Sequence, residues 1–143
     1  MDMAMISAPD GCRLYVEDTG RGVPILFLHE FAGDHRAWEP QVRRFSRSNR
    51  CITFAARGYL PSDVPNEPER YGQEAALADA IAILDALDIE RAHIVGHSMA
   101  VSYTHSDAAD DLTRVALGGR RILTKKKKDN MTNYTLLILY VLI

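Results

Sequence analysis

Residues 93–100, His-Ile-Val-Gly-His-Ser-Met-Ala, run an apolar strand into a turn of the form small-X-Ser-X-small. A serine with small residues two positions away on either side fits a sharp corner between a strand and a helix, where larger flanking side chains would collide with the backbone. Gly96 is the first small flank, and Ala100 stands where glycine is usual. At such a corner the Ser98 hydroxyl stands clear of the sheet, and the N–H of Met99 can bind developing negative charge. A corner of this kind requires a strand before it and a helix after it, which points to an α/β architecture.

Two stretches upstream bear on the same chemistry. Residues 23–33, Val-Pro-Ile-Leu-Phe-Leu-His-Glu-Phe-Ala-Gly, are an apolar run ending in His-X-X-X-Gly, and residues 57–63 read Arg-Gly-Tyr-Leu-Pro-Ser-Asp. In this order the three stretches resemble the α/β-hydrolase superfamily, in its serine-nucleophile branch, over about residues 10–100. The resemblance implies that residues 96–100 are a nucleophile elbow with Ser98 as the nucleophile. It implies an oxyanion hole built from the backbone N–H groups of Phe31 and Met99, with His29, Gly33 and Gly96 as the motif positions that shape the loops. Glu30 replaces the glycine that usually follows the histidine. His29 is expected to tie the loop down through its ring, not to act in catalysis.

Taken in order, the chain alternates. Residues 4–8 and 12–18 read as a hairpin around Pro9-Asp10-Gly11. Thr19-Gly20-Arg21-Gly22 precedes a strand and no helix, so it is read as a loop and not as a phosphate cradle. Ile25–Leu28 has the continuous apolar character of a central parallel strand. Asp34 is a candidate N-cap for a helix over 36–47, with Trp38 as a core residue. A strand over 51–55, a helix over 69–87 with Leu77, Ile81, Leu84 and Asp88 on related turns, and the strand 92–96 complete the pattern. The fold expected is a doubly wound, mostly parallel sheet of the α/β-hydrolase type, ending after the elbow, with its site at the carboxyl ends of the strands. A dinucleotide-binding fold is disfavoured because the first parallel strand is not followed by a glycine-rich turn.

Composition limits the remaining classes. A net charge of −2 over 143 residues, with no basic face, argues against nucleic acid and membrane surfaces as partners. Cys12 and Cys51 lie far apart in sequence and are expected as buried free thiols, which with the lack of a secretory signal suggests the cytoplasm. All four lysines fall at 125–128, while the other thirteen of the 17 basic residues are arginines. Residues 101–143 match nothing in the family. They are expected to be a disordered extension or the read-through of a truncated gene, and residues 1–100 to be the N-terminal part of the hydrolase domain. The apolar run 136–143 is too short for a bilayer that needs about twenty residues.

The resemblance implies acyl transfer to water: a small-molecule ester, lactone or related acyl substrate, no cofactor and no metal. The triad acid and base would follow Ser98 in sequence, where the only histidine is His105 and the nearest acids are Asp107, Asp110 and Asp111. Seven helical residues would put His105 about 10 Å from Ser98 along the axis, beyond the roughly 3 Å a general base requires. The chain is therefore expected to lack its triad partners and to be inactive. The alternative is a non-catalytic binding module or pseudoenzyme of the same fold.

Overall fold

The computed structural model describes residues 1–96, 121–123 and 136–140. Strands β1 (Asp2–Ser7) and β2 (Arg13–Gly20) form an antiparallel hairpin in which Met3 faces Glu17 and Met5 faces Tyr15. Its turn closes through Gly11, whose φ of 85° lies in the left-handed region that glycine enters without cost. The strands start and end up to two residues from the sequence expectation. Strand β3 (Val23–Leu28) follows, then a 3-10 turn (His35–Trp38), helix α1 (Glu39–Phe45) and strand β4 (Asn49–Phe54). Asp34 caps the turn as expected, its Oδ1 accepting from Arg36 N–H at 2.8 Å. The helix is shorter than the periodicity implied because Pro40, which lacks an N–H, is accommodated only in a first turn and so restarts the helix there.

A second 3-10 turn (Pro68–Arg70), helix α2 (Gln73–Ala86) and strand β5 (Ala92–Gly96) complete the first part of the chain. Gly72, with φ of 124°, breaks the helical path between that turn and α2. Two short strands, β6 (Arg121–Leu123) and β7 (Leu136–Tyr140), lie within the stretch that matches no family motif. The seven strands are ordered β1-β2-β4-β3-β5-β7-β6. Pairing is antiparallel for β1-β2, β2-β4 and β6-β7, and parallel for β3-β4, β3-β5 and β5-β7.

The period of two along each strand divides the interior between two faces. Leu26, Ile52, Phe54, Ala92 and Ile94 point to the side covered by α2, where they pack with Ala80, Ile83, Leu84 and the hairpin residues Ile6, Leu14 and Val16. Ile25, Phe27 and Cys51 point the other way and pack on Trp38, with Val42 and Val95 at the margin. The rings of Phe27 and Trp38 lie 5.2 Å apart, so Trp38 is a core residue. One helix on each face gives the doubly wound arrangement. The buried face of α2 is only in part the expected one: Leu84 is buried, with Asp79, Ala80 and Ile83, whereas Leu77 and Ile81 are only partly covered and Asp88 is exposed. The Thr19–Gly22 loop owes its glycines to close packing, since a Cβ on Gly22 would lie 2.5 Å from the Ser48 carbonyl oxygen.

Candidate active site

Strand β3 sits between β4 and β5, parallel to both, and its last rung pairs Leu28 with Gly96. The start of the loop at His29 and the end of β5 at Gly96 therefore lie side by side at the sheet's carboxyl end. Ser98 and Met99 lie outside the described residues. His29, Phe31, Gly33 and Gly96 lie inside them.

His29 is buried, and both of its ring nitrogens are occupied. Nδ1 lies 2.8 Å from the Glu30 carbonyl oxygen, and Nε2 accepts from Ala56 N–H at 3.0 Å. These partners fix the tautomer: Nε2 must carry the lone pair, so the proton is on Nδ1, which donates to Glu30. Burial pushes the imidazole below its ordinary value of 6.5. The ring thus ties the loop after β3 to the loop after β4, and Tyr59 packs edge-on against it at 4.7 Å.

The Glu30 carbonyl and the Phe31 N–H belong to one planar peptide and point in opposite directions. Glu30 O accepts from His29 Nδ1 and from Gly33 N–H at 3.2 Å, which fixes that plane from its carbonyl side. The next peptide is held as well, since Tyr59 Oη donates to Phe31 O at 2.7 Å. Phe31 is 73% exposed. At Gly33 the φ is not positive, and a Cβ would meet nothing closer than 3.5 Å, so the loop does not need glycine there.

Residues 57–63 are built into the frame beside this loop. Ser62 Oγ donates to Ala55 O at 2.6 Å and accepts from Tyr15 N–H at 2.8 Å. Asp63 accepts from Arg13 N–H and Nη2, each at 2.9 Å. Gly58, at φ of 87°, lies where a Cβ would come within 3.0 Å of the Tyr71 ring. The guanidinium of Arg57 donates to Asp79 through Nε at 2.7 Å and Nη2 at 2.6 Å, and to Asp10 through Nη1 at 2.8 Å. Asp79 is 2% exposed. Burial pushes its carboxyl up and the Arg57 fork opposes that, while Arg57 itself is held above its ordinary value by Asp79. Sequence reasoning noticed Arg57 but missed Asp79. The only local signal was an acid on an alanine-rich helix, one turn from the apolar positions.

Among the described residues no three His, Cys, Asp or Glu side chains come together as metal ligands, and no helix is long and apolar enough to cross a membrane. Cys12 and Cys51 are buried and unpaired, and burial pushes the Cys51 thiol up to about 11.

Comparison with known proteins agrees with this architecture. Residues 23–100 match the alpha/beta hydrolase fold family. Epoxide hydrolase 4 of Mus musculus is 36% identical over 84 residues, covering 58% of this chain and 23% of that protein. The 3-oxoadipate enol-lactonase 1 of Acinetobacter baylyi is 35% identical over 99 residues, covering 66% of this chain and 35% of that protein. A solved structure of epoxide hydrolases from hot-environment metagenomes superposes with a TM-score of 0.68 at 33% identity, covering 72% of this chain and 35% of that one. The chain spans roughly a quarter to two fifths of the length of the curated relatives it matches. With the family matched over more than half of its residues, and with the strand order and loop positions that the family's motifs require, the chain belongs to the α/β-hydrolase fold family.

Proposed function

We propose that the protein hydrolyses a carboxylic ester or lactone, with Ser98 as nucleophile and the N–H groups of Phe31 and Met99 as the oxyanion hole. The observation that carries this reading is the clamped Glu30–Phe31 peptide, next to the rung that pairs Leu28 with Gly96, two residues before Ser98 in sequence. Ser98 Oγ attacks the carbonyl carbon and its proton passes to a base. The bond to the leaving oxygen then breaks, and water hydrolyses the acyl-serine to acid and free enzyme. Preorganised N–H donors stabilise the oxyanion because they need no reorientation as charge develops.

Epoxide opening fits this serine poorly even though several relatives are named for it. Attack of a serine alkoxide on an epoxide carbon leaves an alkyl ether, which water does not cleave, whereas attack on an acyl carbon leaves an ester, which it does. A lactone substrate, as in the name of the Acinetobacter enzyme, suits Ser98 better. In the family's chain order the triad acid and histidine follow the nucleophile. Two buried free thiols fit a reducing cytoplasm. Ser98-dependent formation of a diol from styrene oxide would overturn the choice of acyl over epoxide chemistry.

One observation favours a second reading. β7 pairs along the whole of β5, so the apolar strand before Ser98 is not an open edge. A sheet closed in this way suits a non-catalytic binding module, for which Ser98→Ala would leave ligand binding unchanged.

A further inference from the structure

We propose that the outer face of β1 is a binding site for one copper(I) ion, held by the thioethers of Met1, Met3 and Met5. β1 is the terminal strand of the sheet and pairs with β2 alone among the described strands. Its even positions turn toward α2, where Ile6 is buried in the core. Two of its odd positions are methionines, Met3 and Met5, and Met1 precedes the strand; the three are exposed by 62%, 47% and 72%. Packing therefore does not account for them.

Successive same-face residues of a strand stand about 7 Å apart, a gap that two unbranched, flexible methionine side chains can close from either side. Met1 lies just outside the strand and is not bound by its spacing. Neutral sulfur donors select copper(I) over magnesium or calcium, which require oxygen ligands. A counter-charge stands on the same face: Tyr15 Oη lies 2.9 Å from Met3 Sδ and 3.0 Å from Glu17 Oε1. The carboxylate of Glu17 is fixed in turn by His35 Nε2 at 3.3 Å. Three soft donors in a row, with one carboxylate behind the middle one, form a monovalent soft-cation site. It is independent of the hydrolase reading, which uses none of these methionines.

The test is anaerobic titration of the full chain with copper(I) against a chromophoric chelator, followed by the methyl resonances of its five methionines. One equivalent should bind, with shifts confined to Met1, Met3 and Met5 while Met99 and Met131 stay in place. Loss of a partner outside the ligand shell alone weakens metal affinity by about 10- to 100-fold. Met3→Leu with Met5→Leu, exposed and nearly isosteric, should therefore weaken binding by at least about 100-fold and leave the fold intact. Unchanged affinity in that double variant would mean capture elsewhere, at Cys12 or Cys51, and would overturn the proposal. Absence of binding at micromolar copper(I) would do the same.

Discussion

At the scale of single residues, the arginine that opens the 57–63 loop ties together elements far apart in sequence. Arg57 joins the hairpin turn through Asp10 and helix α2 through Asp79. Removing one partner of a buried pair strands the other charge, at a cost of about 3–5 kcal/mol. Asp79→Ala should lower stability by that amount in a denaturant titration, whereas Asp63→Ala, at an exposed pair, should cost far less. The acid limb follows from Asp10, whose carboxyl Arg57 holds down from 3.8 to about 2. Because the unfolded chain takes up the proton first, the stabilisation is complete above about pH 4 and is lost as pH falls toward 2. Thermal unfolding should show this loss between those values, and Asp10→Asn should flatten it.

At the scale of elements, the loop after β3 is a clamped segment and not a free connection. His29 holds it from both ring nitrogens, so His29→Ala should cost about 1–3 kcal/mol for the buried groups left unpaired. It should also speed amide exchange at Ala56, which loses its acceptor, more than at Ile52 in the centre of β4. Since burial depresses the folded imidazole below 6.5, the unfolded chain again binds the proton first, and acid weakens this clamp as pH falls below that value. Much of this element was legible beforehand. An apolar run ending in histidine gave the strand, and the expectation that the ring ties the loop down matches its two backbone partners. The end of β5 at Gly96 was legible too, because the strand's apolar pattern and the glycine agree. The buried face of α2 was not. The expected turns were Leu77, Ile81, Leu84 and Asp88, of which only Leu84 is buried, because the helix is rotated so that Asp79 meets an arginine 22 residues away. A long-range ion pair leaves no trace in local periodicity. Pro40 and Gly72 were visible as letters, but their effect on the helix starts depended on backbone geometry around them.

At the scale of the whole molecule, the sheet is one cooperative layer between α1 and α2, with a thiol in each of its two faces. Cys12 belongs to the α2 side and Cys51 to the α1 side. Both should resist alkylation under native conditions and react together only as the sheet opens, so their labelling rates should converge on that of global unfolding. Faster reaction of Cys51 would mean that the α1 face opens separately. The strands β6 and β7 extend the same layer, although nothing in the motif pattern anticipated them beyond the apolar run of Leu136–Tyr140.

The proposed function rests on Ser98 acting beside the clamped loop, and one assay addresses it. Hydrolysis of p-nitrophenyl acetate should be compared for the protein and its Ser98→Ala variant, first in buffer and then with imidazole supplied as an external base. In imidazole the wild type should exceed the variant, with an acetyl group recoverable on Ser98. Equal rates in imidazole with Ser98 unmodified would contradict the assignment of Ser98 as an acyl nucleophile.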